Sequence, residues 1–285
     1  MKYYHVDVFS LKPMSGNGLT VVFPDRSLDD KELLSIAREF KQFETIFIYD
    51  KNQEGSFPVR IFTVDEELKF AGHPIIGACA VIHKLLFSSQ NNMEISLDLS
   101  GRRLTAQSCY LNKSYNVTMN QGSPQFINEI ERKHYNKIAN ALNIKECDID
   151  DALPVEVIST GLPYLLVPLK SGLAQAKINM GEFESFLAGF EAKFVYVFDS
   201  STLECRTWDN NGVFEDVVTG SAAGPLCAYL VKHGLKKHDE IIDIHQGQFV
   251  NRPSIIQGWV TQTSIITEVF IRGDVSFFSA GDLLL

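Results

Sequence analysis

The sequence has few of the features that mark secreted, membrane or metal-binding proteins. Five cysteines are scattered along the chain without a CxxC pair: Cys79, Cys109, Cys147, Cys205 and Cys227. An odd and dispersed set predicts neither a disulfide framework nor a zinc site, so buried, reduced thiols are expected. The N-terminus has no signal-like apolar run, and no segment reaches membrane-spanning length. We therefore expect a cytoplasmic protein that does not enter a membrane.

Basic residues are also in the minority. The chain has 26 Lys and Arg against 35 Asp and Glu, a formal net charge of -9. Nucleic-acid binding draws its affinity from clustered basic side chains, so a nucleic-acid partner is not expected. GxGxxG, GxxxxGK[ST] and HExxH do not occur, which leaves nicotinamide, nucleotide and zinc chemistry without support. A small carboxylate remains a suitable ligand, because backbone N–H groups bind one anion without net positive charge.

The length of 285 residues favours two packed units, and the sequence repeats its plan once. Gly72 matches Gly220 at an offset of 148 (220 minus 72), and the same offset places Cys79 on Cys227. We predict an α+β fold of two pseudo-symmetric lobes, each a curled mixed β-sheet around a central α-helix. The N-terminal lobe is predicted to span 1–117, with 276–285 returning to it, and the C-terminal lobe 118–275.

Local patterns predict the elements around Glu44. Apolar residues recur at helical spacing over 33–40, behind Asp29 and Glu32, which match a capping box. The β-branched and aromatic run at 45–49 predicts a strand, so Glu44 is expected at a helix-to-strand junction. Further strands are predicted at 6–8, 20–23, 60–63, 93–99, 103–109, 114–119, 155–159, 164–169 and 193–198, a helix at 130–142, and an exposed turn at 65–67.

Two glycine-led motifs precede runs that are apolar nearly all round. AGHP covers 71–74 and TGSAAGP covers 219–225, and each following run predicts a buried helix. The first N–H groups of a helix have no partner within it, and the helix dipole is positive there. Gly72 and Gly220 would thus let a substrate carboxylate or an oxyanion approach. The alternative is that these glycines only permit tight turns.

Glu44 is the candidate acid/base. Its neighbours Phe40, Phe43, Ile46 and Phe47 are apolar, and an apolar surround raises the pKa of a carboxyl group toward the range useful for taking and giving a proton. The competing interpretation is a solvated glutamate at the end of a helix.

His73, Asp216 and Ser221 lie beside the glycine-led turns. The first two are candidates to hold or polarise a substrate amine, hydroxyl or carbonyl, although a histidine before proline is often a turn residue only. Ser221 is expected to be the N-cap of the second buried helix, with substrate contact in addition. A hydrolase triad of the three is disfavoured, because TGSAAG does not match the GxSxG elbow.

Taken together, the motifs resemble the PhzF-like family of phenazine-biosynthesis-type isomerases, within the diaminopimelate-epimerase-like fold. The similarity covers nearly the whole chain: VDVF, SGNG, ETIFI, RIFTVDEELKFAGHPIIG, GVFEDVVTGSAAGPL and QGQFVNRPS. It implies two lobes with the active site between them, usually a homodimer, and isomerisation by general acid/base catalysis without metal or organic cofactor. The residues it carries over are Glu44 as acid/base, His73, Asp216 and Ser221 for catalysis and positioning, and Asn17, Gly72, Thr219 and Gly220 for binding the carboxylate-bearing substrate.

The chain departs from that pattern beside the proposed base. Phe43 stands where the family usually has a small polar residue, and a bulky ring there argues against the phenazine precursor as substrate. Other departures are Gly18, Val64, Lys69 and Val217 in place of proline, and Trp208 and Asp209. Two rival functions remain open: a cysteine-based amino-acid epimerase or racemase of the same fold, and a non-catalytic small-molecule-binding protein.

Overall fold

The computed structural model describes residues 1–69, 71–264 and 266–285. Contacts divide the chain into two compact units. The first comprises Met1–Asn120 together with Arg272–Leu285, and the second comprises Gln121–Ile271. The chain therefore leaves the first unit once and returns to it at the end.

The elements up to the second unit are β1 (Lys2–Val8), β2 (Asn17–Phe23), α1 (Asp30–Phe40), β3 (Glu44–Ile48), β4 (Phe57–Phe62), β5 (Glu67–Leu68), α2 (Gly72–Leu86), β6 (Asn92–Leu99), β7 (Arg102–Leu111) and β8 (Ser114–Gly122). The remaining elements are β9 (Gln125–Glu129), α3 (Tyr135–Ala141), β10 (Glu156–Ser159), β11 (Pro163–Leu169), α4 (Phe183–Ala188), β12 (Phe194–Asp199), β13 (Glu204–Arg206), α5 (Gly220–Lys232), β14 (Ile242–Gln246), β15 (Ser254–Gln262) and β16 (Thr267–Asp282). Strands outnumber helices, as expected for a sheet-rich α+β fold.

The first unit contains a closed barrel. Its strands follow the order β1-β2-β3-β4-β6-β7-β8-β16, and β16 pairs with β1 to close the ring. The ring is mixed, because β2 with β3 and β4 with β6 are parallel. Helix α2 packs against β1, β2, β3, β6 and β7, and its first twelve residues are all buried. An apolar helix thus fills the barrel, in agreement with the predicted burial.

The second unit is built on a sheet in the order β15-β14-β13-β12-β11-β10-β9. Helix α5 packs against β10, β11 and β15, and it is buried at Gly220 and from Ala222 to Leu230. A separate apolar cluster joins this sheet to α3 and α4, and includes Ile138, Val167, Leu187 and Val197. This unit therefore holds one buried helix and an additional helical layer.

Helix α1 determines where Glu44 lies. Asp29 and Glu32 form the predicted capping box at its start, with each side chain bonded to the other's backbone N–H. At the other end Lys41 adopts a left-handed conformation, with φ of 54°. The helix stops there, and Glu44 is the first residue of β3, as predicted.

The predicted strands are present, but two local predictions are wrong. The helix expected at 130–142 starts only at Tyr135, after a short 3-10 turn, because Ile130 instead donates its N–H to Val155 in a sheet-like contact. The exposed turn expected at 65–67 ends one residue early. Glu67 begins β5, where its carboxylate binds the guanidinium of Arg60.

Candidate active site

Glu44 and His73 meet in the first unit. Glu44 begins β3, and His73 is the second residue of α2. Oε2 of Glu44 lies 3.2 Å from Nε2 of His73, and the two side chains are 13% and 7% exposed. The sequence predicted both residues as site residues, and the structure brings them into contact. A carboxyl group that is neither fully buried nor solvated is suited to exchanging a proton with a ligand.

Burial controls the ionisation of His73. Desolvation lowers the pKa of its imidazole from 6.5 to about 3, so the ring is neutral at neutral pH. A neutral imidazole can present an N–H or a lone pair to the Glu44 carboxyl, but it does not add a positive charge. The pair therefore holds at most one negative charge, that of the Glu44 carboxylate.

The depressed pKa predicts a dependence of stability on pH. Between pH 3 and 6.5 His73 binds a proton in the unfolded chain but not in the folded one. Protonation of the unfolded chain therefore lowers the free energy of unfolding as pH falls from 6.5 toward 3, and above pH 6.5 this loss is absent. Each pH unit in that window costs up to about 1.4 kcal/mol. His73→Gln should flatten the acid limb of unfolding free energy measured by urea denaturation. The exposed His238→Gln should keep the wild-type slope, and an unchanged slope in His73→Gln would contradict the assignment.

The start of α2 presents unbonded backbone donors. Ala71 is the N-cap and supplies no side-chain hydrogen bond, and Pro74 in the first turn has no N–H. The N–H groups of Gly72 and His73 have no acceptor among the residues that the structure describes. Asn17, a further predicted site residue, is buried at the start of β2, two residues before Leu19, the register partner of Glu44. Glu44, His73 and the first N–H groups of α2 thus form a polar cluster.

A second polar cluster surrounds the start of α5. Thr219 is the N-cap, and its hydroxyl donates to Oδ2 of Asp216 at 2.5 Å. The N–H groups of Gly220 and Ser221 have no acceptor in the described parts of the chain. The structure therefore brings together Asp216, Thr219, Gly220 and Ser221, all of which the sequence predicted. An anion at this helix start would meet two backbone donors and the positive end of the dipole.

Ser221 was wrongly predicted to be the N-cap. Thr219 has extended backbone angles and Gly220 is already helical, so Ser221 lies within the first turn. Its hydroxyl instead bonds to the phenol of Tyr164 at 2.7 Å. That partner comes from β11, and nothing near Ser221 in the sequence indicates it. The hydroxyl pairs with a phenol and not with a base, so the contacts give a serine nucleophile no support.

Buried amides hold the second cluster in place, and sequence reasoning missed them. Gln246 is bonded to Thr219 and to the backbone oxygen of Asp216. Gln121 donates to the backbone oxygen of Gly220 at 2.9 Å. A Cβ on Gly224 would lie 1.8 Å from Oε1 of Gln121, so this glycine leaves room for the amide. The QGQF motif contains Gln246, but its role depends on contacts distant in sequence.

The cysteines do not favour thiolate chemistry. Cys79 and Cys227 are each seven residues after the first residue of their helix, about two turns in, and both are buried. Burial raises the pKa of the Cys227 thiol to about 12 and that of Cys79 further. A thiol needs an accessible thiolate to act as a base, so the cysteine-epimerase alternative loses support.

The residues that depart from the family pattern have distinct environments. Phe43 is 38% exposed. Trp208 is buried in the core of the second unit, with the guanidinium of Arg206 4.9 Å from its ring centre. A Cβ on Gly18 would lie 2.4 Å from Oε1 of Gln42, so the Gln42 side chain occupies the space left by this glycine.

The described ranges contain neither a metal-binding group of side chains nor a membrane-spanning helix. Over 1–69, 71–264 and 266–285, His, Cys, Asp and Glu form no group of three placed to hold a metal ion. Within the same ranges, no helix combines the length and apolarity that a membrane span requires.

Comparison with known proteins identifies the family. The family model for phenazine biosynthesis-like proteins, PhzC-PhzF, matches residues 6–281. The uncharacterized isomerase YddE of Escherichia coli strain K12 is 32% identical over 270 residues, covering 90% of this chain and 89% of that protein. The trans-2,3-dihydro-3-hydroxyanthranilate isomerase of Pseudomonas chlororaphis is 28% identical over 303 residues, covering 99% of both.

A solved structure agrees with this grouping. The structure of a predicted epimerase from Pseudomonas aeruginosa matches with a TM-score of 0.91 and 37% identity, covering 100% of this chain and 99% of that one. The family match, the curated relatives and this structure are consistent with one another. The chain belongs to the phenazine biosynthesis-like family and is an isomerase.

Proposed function

We propose that this isomerase moves a proton between carbon atoms of a small carboxylate-bearing substrate, with Glu44 as the general acid/base. The 3.2 Å contact between Glu44 and the neutral ring of His73 is the observation that carries the proposal. In the proposed mechanism Glu44 removes a proton from carbon and returns it to another carbon of the same substrate. Residues of the chain supply the acid/base chemistry, so neither metal nor organic cofactor is required.

The two helix starts supply the remaining functions. We assign carboxylate or oxyanion binding to the backbone N–H groups of Gly72 and Gly220, with Asn17 beside the first and Thr219 beside the second. Unbonded donors at these positions support the assignment. Asp216 and Ser221 would position the rest of the substrate. In this proposal the two units are pseudo-symmetric lobes, each with one of the two helix starts.

The proposed assembly is a cytoplasmic homodimer, as the family resemblance implies. Light scattering on the purified protein would measure its molar mass. A mass near twice 32.0 kDa supports the dimer, and a mass near 32.0 kDa rejects it.

A heavy-water screen tests the function. The protein is incubated with a metabolite extract in D₂O, and mass spectrometry identifies compounds that gain carbon-bound deuterium only with active enzyme. We expect one or more carboxylates to gain deuterium. The Cys79→Ala and Cys227→Ala variants should retain this exchange, because their thiols are buried in helix interiors. Binding of metabolites without exchange would support a non-catalytic protein, and exchange lost with either cysteine would support a thiol epimerase.

A further inference from the structure

Gln246 has every hydrogen-bonding group of its amide in use. It is the last residue of β14 and is 1% exposed. Its Oε1 accepts from the N–H of Thr219 at 3.1 Å and from the hydroxyl of Tyr196 at 2.9 Å. Its Nε2 donates to the backbone oxygen of Asp216 at 3.0 Å and to Oγ1 of Thr219 at 3.1 Å. A primary amide has two donors and one acceptor oxygen with two lone pairs, so this one is saturated.

The partners determine which way the amide points. The N–H of Thr219 can only donate, and the backbone oxygen of Asp216 can only accept, so Oε1 faces the former and Nε2 the latter. Burial raises the pKa of Tyr196 well above its usual range, which keeps its phenol protonated as a donor to Oε1. The donor and acceptor partners of the amide therefore determine which of its two terminal atoms is the oxygen and which is the nitrogen.

This orientation also determines the direction of the next hydrogen bond. Because Oγ1 of Thr219 accepts from Nε2 of Gln246, the single hydroxyl proton of Thr219 is available to Asp216. The hydroxyl of Thr219 therefore donates that proton to Oδ2 of Asp216, which accepts it. Hydrogen bonds thus run in one direction, from Tyr196 through Gln246 and Thr219 to Asp216.

We propose that Gln246 is a positioning residue that holds Asp216 as a hydrogen-bond acceptor and thereby selects substrates carrying a donor, a hydroxyl or an ammonium group, at that position. The selection of substrates rests on the proposed function, because it requires Asp216 to contact the substrate. The orientation of the loop from Asp216 to Thr219 does not depend on the proposed function. An acceptor-only group such as a ketone or an ether would meet the carboxylate unfavourably.

Amide hydrogen exchange tests the orientation without any substrate. In the wild type, the N–H of Thr219 should exchange slowly because it donates to a buried oxygen. In Gln246→Met, which keeps the side-chain length, we expect its exchange measured by NMR to accelerate by about 30-fold or more. Gln257→Met removes an amide that bonds to Asp243 on the same unit and should leave Thr219 unchanged. Equal protection of Thr219 in Gln246→Met and wild type would overturn the proposal.

Kinetics test the effect on the site. The substrate is the compound that the heavy-water screen identifies. Because misplacing a group that contacts substrate costs about 100-fold, kcat should fall by about that factor in Gln246→Met and in the near-isosteric Thr219→Val. Thr219→Ser keeps the hydroxyl, so its kcat should be at least about tenfold above that of Thr219→Val. Equal losses in Thr219→Val and Thr219→Ser would show a structural role only.

The pH dependence of activity gives a further test, because it would not change if Gln246 had only a structural role. Gln246→Glu has a donor toward Asp216 and Thr219 only when its new carboxyl is protonated, so its activity relative to the wild type should rise as pH is lowered. A constant ratio across pH would count against the proposal. If the wild type exchanges no carbon-bound proton with any compound, the proposed function fails, and the amide-exchange result still decides whether Gln246 orients the loop.

Discussion

Replacing Glu44 with glutamine should reduce carbon-bound deuterium exchange by about 1,000-fold, because glutamine cannot take or give the proton. The variant keeps the shape of the side chain and its place beside His73, where the wild-type atoms are 3.2 Å apart. Ligand binding should therefore remain within a few-fold of the wild type. Mass spectrometry of the substrate in D₂O and calorimetric titration of the same substrate measure the two properties separately.

Two further variants sharpen this prediction. Glu44→Asp keeps the carboxylate but withdraws it by one methylene, and a displacement of about 1 Å is enough to cost about 100-fold. Glu39→Gln removes an exposed carboxylate from the preceding helix and should exchange at the wild-type rate. Retention of more than a tenth of the wild-type rate by Glu44→Gln would rule out Glu44 as the acid/base.

Among substitutions compared at neutral pH, the largest expected effect on stability comes from Gly247→Ala. Gly247 has φ of 91°, which L-residues avoid, and a Cβ there would lie 2.3 Å from the backbone oxygen of Arg252 and 2.8 Å from that of Val217. A left-handed residue costs about 1 to 2 kcal/mol, and forcing backbone atoms apart adds about 1 to 3 kcal/mol. The free energy of unfolding should therefore fall by about 3 kcal/mol or more in urea denaturation.

Gly234→Ala is the matched control for that experiment. Gly234 also has positive φ, 72°, but a Cβ there meets nothing within 4 Å. Only the conformational cost of about 1 to 2 kcal/mol should remain. The difference between the two variants isolates the clash, and equal losses would show that the loop after Gln246 moves aside. Since Gly247 adjoins Gln246, the first variant should also weaken the contacts of Thr219 and Asp216.

Short-range signals explain what could be predicted from the sequence. The capping box of Asp29 and Glu32 and the β-branched run after Glu44 lie within a few residues of the features they specify. The two buried helices were predicted because their apolar residues leave almost no polar face. Local patterns and the family motifs together identified six residues that the structure places in two polar clusters beside helix starts: Glu44, His73, Asp216, Thr219, Gly220 and Ser221.

Long-range partners explain the failures. Ser221 was predicted as a cap because serine caps helices often, but its hydroxyl bonds to Tyr164, 57 residues away. Gln246 went unnoticed because a glutamine at the end of a strand has no local signature, and its partner Tyr196 is 50 residues distant. Barrel closure was also not predicted. It depends on pairing between Lys2 and Asp282, which no local pattern encodes.

That pairing has a consequence for the order of events during synthesis. The second unit, Gln121–Ile271, is one contiguous stretch, so all of it is available to fold before the final residues are translated. The ring around α2 lacks its last strand until 272–282 have been made, since β16 bonds to β1 at the very beginning of the chain. In a nascent chain halted at Ile271, the sheet around α2 would still be open in the unit that carries Glu44 and His73. Formation of their surroundings therefore requires that 272–282 have been translated.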